Sequence, residues 1–429
     1  MTQQSVRRLL AELGPDALFS AGSPRRTHYA LRRSLRGTLG VLPLFAVDAE
    51  GKAHQLGSLT LVGSEGTFLP LQETPWPVPA ESREGWWGGL PYPIFAMRPT
   101  GYMGRLLARA EHTTLGVSED PDEWDDDDIL WVLSRRGSDV TGNLILGAAA
   151  YDIWLRNKVS DQPQPLLDSK LPETYARLAS EAVTVGGGGS TAAGEFPKFA
   201  AMRELAGALT PHVLVKFSGA SGTASEQRWG DLLVCEHLAL ECARQLQGVD
   251  SARSRILEHA GRVFIESERF DRVGRYGRLA LCGLDAIDPV FLGSRESAWT
   301  TLADRLQHMR LIDAAGAAAI ERLWWFGRLI ANTDMHLGNL SFLVDRTLRL
   351  APTYDMLPMA YAPLPGGEVP TRAFNPELPL PQQRNTWMAS CTVAINFWNM
   401  AANDGRVSVG FRSVCRDNAT RLRELADRV

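Results

Sequence analysis

Residues 323–343 constrain this chain more than any other stretch. They read Leu323-Trp-Trp-Phe-Gly-Arg-Leu-Ile-Ala-Asn-Thr-Asp-Met-His-Leu-Gly-Asn-Leu-Ser-Phe-Leu343: an apolar helical run, a polar break and a strand-like run. In the break stand Asp334, His336 and Asn339, and roughly 20 residues beyond Asp334 the strand-like Leu348-Arg-Leu-Ala-Pro352 delivers Tyr354-Asp355. An aspartate that orients a hydroxyl, with an asparagine and a second aspartate holding magnesium, is the set that phosphoryl transfer needs. Mg²⁺ prefers a few carboxylate or amide oxygens completed by phosphate and water, which Asn339 and Asp355 can supply. Taken singly, the same residues could merely cap helices and turns.

Composition sets the frame for this motif. At 429 residues, 45% hydrophobic and 22% charged, the chain has the balance of a folded globular protein with room for two or three cores. No apolar run approaches the ~18 residues that span a bilayer, and residues 1–20 carry no signal-peptide core, so a cytoplasmic protein without membrane contact is expected. The five cysteines, Cys235, Cys242, Cys282, Cys391 and Cys415, have neither CxxC spacing nor a pairing framework. A net charge of −4 argues against nucleic-acid binding by the whole molecule and leaves room for a local basic patch.

One such patch lies at the N-terminus. An amphipathic helical stretch over residues 5–13 is followed by Gly14-Pro-Asp16 and by two strand-like runs around Gly22-Ser-Pro-Arg-Arg26. Helix, turn and basic hairpin resemble the recognition helix and wing of a winged helix-turn-helix. Gln3, Gln4, Ser5, Arg7 and Arg8 would face a DNA groove, with Arg25, Arg26, Arg32 and Arg33 toward phosphates. The two helices that normally precede a recognition helix are not found, so a hairpin that simply caps the next unit is the alternative.

Alternating apolar residues between 38 and 70 predict short antiparallel strands. The segment Trp86-Trp-Gly-Gly-Leu-Pro-Tyr-Pro93 predicts an irregular loop packed on the core. Asp125-Asp-Asp-Asp128, just ahead of an apolar helical run, reads as a solvated helix start rather than a metal cage. Residues 161–165 read as a linker.

Val185-Gly-Gly-Gly-Gly-Ser-Thr-Ala-Ala-Gly-Glu-Phe-Pro-Lys198 is the most glycine-dense stretch. Its backbone could approach phosphates closely, but it has neither Walker A nor GxGxxG spacing, and a flexible linker explains it equally well. In the next strand, His212-Val-Leu-Val-Lys-Phe217, Lys216 sits in an apolar run where a charge is costly unless paired. Glu236, roughly 20 residues on in an apolar helix over 229–246, is placed as the kinase glutamate that holds such a lysine against ATP phosphates. A snorkelling lysine and a solvated glutamate are the alternative.

In these residues the chain resembles the HipA-like serine/threonine kinases, the toxins of toxin–antitoxin pairs. The likeness rests on Asn332-Thr-Asp-Met-His-Leu-Gly-Asn-Leu-Ser-Phe342, on Val263-Phe-Ile-Glu-Ser-Glu-Arg-Phe-Asp-Arg272, which resembles the family's V-E-R-F-D-R hinge, and on Leu350-Ala-Pro-Thr-Tyr-Asp355. The resemblance implies that hinge backbone near Glu268 and Phe270 receives adenine and that Lys216 meets the ATP phosphates. It makes Asp334 the catalytic aspartate, with Asn339 and Asp355 as magnesium ligands. Gly194-Glu-Phe-Pro-Lys198 resembles the end of the family's phosphate loop, where an autophosphorylated serine switches the enzyme off; Ser190 and Thr191 occupy that neighbourhood. The loop is longer and richer in glycine than the usual pattern, which leaves the hydroxyl open. His336 belongs to the motif, and holding the loop suits it better than acid–base work. Met97-Arg-Pro-Thr-Gly-Tyr-Met-Gly-Arg105 looks like the YjjJ type, a subgroup with its own N-terminal winged helix. That favours a stand-alone protein and leaves a partner antitoxin unassigned.

The expectation is therefore an α+β, two-lobed, protein-kinase-like (HipA-like) fold. It has an antiparallel-strand N-lobe, a mainly helical C-lobe and a partial winged-helix segment at the N-terminus. The expected divisions are 1–36 (winged-helix-like), 37–165 (N-terminal subdomain), 166–272 (kinase N-lobe with Gly-rich loop and hinge) and 273–429 (catalytic C-lobe). The expected activity is ATP- and Mg²⁺-dependent phosphorylation of a cellular protein that inhibits growth. By resemblance the substrate is a translation factor or an aminoacyl-tRNA synthetase. A DNA-binding regulator with a nucleotide-binding kinase-like domain, or a small-molecule kinase, would carry many of the same residues.

Overall fold

The computed structural model describes residues 26–185, 196–294 and 298–429, with residues 8, 10, 12–14 and 16–23 ahead of them. Strands β1 (Leu18–Ser23) and β2 (Arg26–Leu31) pair antiparallel, Leu18 opposite Leu31, as the basic hairpin that was expected. Gln3, Gln4, Ser5, Arg7 and Arg25 lie outside the described residues, and Arg26 opens β2.

Next come β3 (Val41–Val47), β4 (Ala53–Val62), β5 (Gly66–Phe68) and β6 (Trp86–Trp87). They are followed by α1 (Gly101–Leu115), α2 (Asp126–Arg136), β7 (Leu144–Leu146) and α3 (Ala148–Val159). The five strands form one antiparallel sheet in the order β6-β5-β4-β3-β7. The Gly- and Pro-rich segment around Trp86 is thus more regular than its composition suggests. Trp86 and Trp87 pair with Phe68 and Thr67 as an edge strand, and residues 92–95 make a helical turn. Cross-strand pairing overrides weak local propensity here.

Two expectations about charge are corrected. Arg33 does not face a nucleic-acid phosphate: its guanidinium holds both carboxylate oxygens of Asp127 at 2.5 Å. Arg32 lies 5.1 Å over the Phe19 ring and donates to the Leu18 carbonyl. The acidic run is likewise not simply solvated. Asp125 caps α2 by accepting from the Asp128 amide at 2.8 Å, Asp126 accepts from the Leu90 amide, and Asp127 and Asp128 hold Arg33 and Arg36. Arg36 also caps the end of α1 through the Leu115 and Gly116 carbonyls. Arg33 and Arg36 stand more than 90 positions from Asp127 and Asp128, beyond the reach of a local reading. The 161–165 segment is tied down as well, because Asp161 accepts from Tyr276 and pairs with Arg275.

The second unit begins with α4 (Leu171–Val185), β8 (Lys198–Met202), β9 (His212–Phe217) and α5 (Ala224–Ala243). With β10 (Ser254–His259) and β11 (Arg262–Glu268) it forms an antiparallel sheet in the order β8-β9-β11-β10. Val213, Val215 and Phe217 alternate onto the face that packs against Leu171, Tyr175 and Ala179 of α4. That alternation turns Lys216 to the opposite face, toward α5. Helix α5 starts five residues earlier than expected (Ala224 against Trp229) because Thr223 and Glu226 form a reciprocal capping box.

The rest of the chain comprises β12 (Leu281–Gly283), α6 (Trp299–His308), α7 (Ala314–Leu329), β13 (Ser341–Asp345), β14 (Thr347–Leu350), α8 (Arg384–Asn403) and α9 (Val409–Ala426). Its core includes Ile320, Leu323, Phe326, Trp387, Phe397, Trp398 and Phe411, all fully buried. The five cysteines are buried and free. Among the described residues no helix is long and apolar enough to cross a membrane.

Candidate active site

The site is built where β9, α5 and the chain after β14 converge. Lys216 leaves the sheet face of β9 and donates to both carboxylate oxygens of Glu236 on α5, at 2.7 and 2.8 Å, and to Oδ1 of Asp355 at 2.5 Å. The lysine and Glu236 are buried. Burial works against the ammonium, but Asp355 and Glu236 more than offset it and hold the lysine above its ordinary value, fully charged. Asp355 is likewise disfavoured by burial, yet Lys216 and Lys198 hold it below the usual aspartate value. Lys198 stands directly across from Lys216 in the β8–β9 register. For Glu236 burial wins over Lys216, and its pKa is raised.

The polar break after α7 is a tight loop. Helix α7 closes through the Ala331 and Asn332 amides, which donate to the Arg328 and Gly327 carbonyls, with Ala331 in the left-handed region at φ 59°. Asn332, 2% exposed, then bridges the two halves of the site. Its side-chain oxygen accepts from the Asp334 amide at 3.0 Å, and its Nδ2 donates to the Asp355 carbonyl at 3.3 Å. Asn339 Nδ2 donates to the Asp334 carbonyl at 2.8 Å, which orients the amide so that Oδ1 could serve as a ligand atom. His336 steadies the turn: its Nδ1 accepts from the Gly338 amide and its carbonyl accepts from the Trp299 indole. Asp334 itself is exposed. Gly327 keeps α7 close to this loop, since a Cβ there would stand 2.5 Å from the Met335 sulfur. Asp355 adopts φ 52°, a left-handed conformation that costs a non-glycine residue roughly 1–2 kcal/mol.

Comparison with known proteins identifies the family and the fold. Residues 39–155 match the family described as YjjJ-like toxin, middle domain, and residues 190–427 match the HipA-like C-terminal domain. Toxin YjjJ of Escherichia coli (strain K12) is 35% identical over 432 residues, covering 100% of this chain and 94% of that protein. This chain belongs to the HipA-like family of toxins. Among solved structures, Shewanella oneidensis MR-1 HipA, in complex with HipB and operator DNA, superposes with a TM-score of 0.51 at 15% identity, covering 90% of this chain and 97% of that one. The Helicobacter pylori proinflammatory kinase CtkA covers 54% of this chain and 88% of its own, at 11% identity and a TM-score of 0.37. The fold is the α+β, two-lobed, protein-kinase-like fold of HipA.

In this HipA-like chain the hinge follows β11. Phe270 lies 5.7 Å from Tyr354, rings tilted by 32°, and the Tyr354 hydroxyl bonds Ser341 and the Gly338 carbonyl. The Glu268 carboxylate is turned to Arg203 and the Leu209 amide, and its backbone amide donates to the Arg253 carbonyl at 2.8 Å. Gly194, Ser190 and Thr191 lie outside the described residues. Two features went unread in the sequence. One is Asn332, quoted in the motif but given no role. The other is a buried network behind the sheet, in which Glu266 accepts from Arg203 (2.8 Å), Tyr175 (2.8 Å) and Arg255 (3.1 Å). Arg203 in a Met-Arg-Glu stretch and Tyr175 in a helix give no local sign that they meet.

Proposed function

We propose that this protein is an ATP- and Mg²⁺-dependent serine/threonine protein kinase, toxic because it phosphorylates a cellular protein. The observation that supports this most is the Lys216–Glu236–Asp355 triad, its lysine and glutamate buried, together with Asn339, whose amide nitrogen bonds the Asp334 carbonyl. A carboxylate and an amide oxygen from flanking segments fit Mg²⁺, which keeps waters and phosphate oxygens in its other positions. Asn339 and Asp355 would hold the ion, which neutralises charge on the transferring phosphoryl group.

The chain's own residues would divide the remaining work. Glu236 and Asp355 keep Lys216 charged and aimed at the cleft, where it stabilises phosphate charge; Lys198 adds a second cation on the same sheet edge. The hinge backbone at Glu268 and Phe270 would receive adenine over the Tyr354 ring. Exposed Asp334, its amide fixed by Asn332, would orient a substrate hydroxyl and take its proton. A protein hydroxyl is favoured as acceptor by family membership, with translation factors and aminoacyl-tRNA synthetases as the substrate class to test. The relative solved with an antitoxin and operator DNA makes those two partner classes worth testing on residues 1–36. Autophosphorylation at Ser190 or Thr191 would add about −1.5 to −2 of charge and compete with ATP for the loop.

The deciding experiment is phosphosite mass spectrometry on cells expressing the intact chain or Asp334→Asn. Loss of phosphosites, including any on Ser190 or Thr191, is the expected result. Phosphorylation unchanged by Asp334→Asn would overturn the assignment.

A further inference from the structure

We propose that Asp139, in the unit of residues 39–155 (the middle unit), is a positioning residue for the nucleotide: it fixes the segment after β11 that carries Phe270 toward Tyr354. The inference rests on the ATP reading above and assigns the middle unit a part in it. Residues 138–142, between α2 and β7, lie against the back of the hinge. Arg272 donates to Asp139 Oδ1 at 2.8 Å, to the Val140 carbonyl at 2.7 Å and to the Gly142 carbonyl at 2.9 Å. Arg269 reaches both Asp139 oxygens at 3.3 Å, Arg278 donates to the Ser138 carbonyl at 2.6 Å, and the Gly142 amide donates to Asp271 at 2.9 Å. A second loop of the same unit closes the other side. The Arg278 amide donates to the Asp48 carbonyl, and a Cβ on Gly277 would stand 2.0 Å from the Ala49 carbonyl oxygen.

Side-chain direction makes this a device for the cleft. Arg269, Asp271 and Arg272 all turn back to the middle unit, while Phe270 between them turns forward to Tyr354. Three arginines (269, 272 and 278) share two carboxylates (139 and 271) in this cluster. Removing the charge of Asp139 therefore leaves Asp271 as the remaining carboxylate for Arg269 and Arg272, beside the Val140 and Gly142 carbonyls, and loosens the backbone between them. Asp139 is about half exposed, 53% of its side chain, and buried Arg272 keeps Asp271 and the Val140 and Gly142 carbonyls as partners, so the chain is expected to fold.

The test uses the full-length protein: wild type, Asp139→Asn and Asp139→Glu, each measured for ATP affinity, KM for ATP, kcat and melting temperature. Asp139→Asn is expected to raise Kd and KM for ATP about three- to fivefold with kcat unchanged, the size of one partly exposed ion pair. Asp139→Glu should recover most of the loss, and high salt should narrow the gap. Equal ATP affinity in wild type and Asp139→Asn would sink the proposal, as would a fall in melting temperature and kcat at constant KM, which is what a purely structural residue gives. Wild-type protein that binds no ATP would instead refute the nucleotide reading, and this inference would go with it.

Discussion

Removing Glu236 tests the site at its most buried point. In wild type Lys216 makes three charge-assisted hydrogen bonds, two of them to Glu236, and both side chains are nearly inaccessible at 6% and 2%. Breaking a buried pair by deleting one partner costs about 3–5 kcal/mol, because a charge is left without compensation. Asp355 still holds the lysine here, so Glu236→Ala belongs at the low end, about 3 kcal/mol. At roughly 2–4 °C per kcal/mol for a unit of this size, the melting temperature should fall by about 6–12 °C. Glu236→Gln keeps one acceptor and the shape, and should lose less than half of that. Adding Lys216→Met to Glu236→Ala should cost no further stability, since Asp355 is 28% exposed and can be solvated once the buried ammonium is gone. Thermal melts followed by circular dichroism read all three. Phosphotransfer by Glu236→Ala should drop on the order of 100-fold, because a lysine displaced by about 1 Å no longer matches the transition-state charge. Glu236→Ala melting within about 1 °C of wild type would show that the pair does not hold α5 to the sheet.

Two further variants probe the flanks of the site. Asn339→Asp replaces the donor that meets the Asp334 carbonyl by a carboxylate, so it should melt lower than Asn339→Ala by about 1–3 kcal/mol; if it melts like wild type, the amide has no role in holding the loop. Asp271, buried yet held below its ordinary value of 3.8 by Arg269 and Arg272, stabilises the chain above that pH and loses the contribution as pH falls through its folded value. The stability difference between wild type and Asp271→Asn, measured by urea melts, should thus be constant near neutrality and shrink below about pH 4; a difference that stays flat down to about pH 2 refutes the assignment.

What could be read in advance followed the range of the interaction. Strand β9 was legible to the residue because a β-branched run has a period of two, and Lys216 inside it announced its own need for a partner. The start of α5 is also written locally, in the Thr223–Glu226 capping box, although the apolar run itself begins only at Trp229. The partners of Asp127 and Asp128 could not be found that way: helix-start electrostatics explains why carboxylates stand there, but not that Arg33 and Arg36 return to meet them. Arg203 and Glu266 are hidden for the same reason, as two ordinary charged residues whose meeting depends on the β9–β11 register.

Asn332 marks the deeper limit, because its partners are backbone atoms and those exist only after two strained turns have formed. Ala331 and Asp355 both hold left-handed φ angles that neither residue type prefers, one before the loop and one at its far end. A chain selected for stability alone would place glycine or asparagine at such positions. At Ala331 a glycine would relieve the angle but free the loop that carries Asp334. At Asp355 either replacement would remove the carboxylate that meets Lys216. The strain thus sits on the residue just before Asn332 and on Asp355, which Asn332 ties to Asp334, with the burial of Asn332 and the Lys216–Asp355 pair over-determining the geometry. That arrangement is expected of a site whose side chains must be in place before substrate arrives, and it explains why the motif is short in sequence while its geometry depends on residues from 216 to 355.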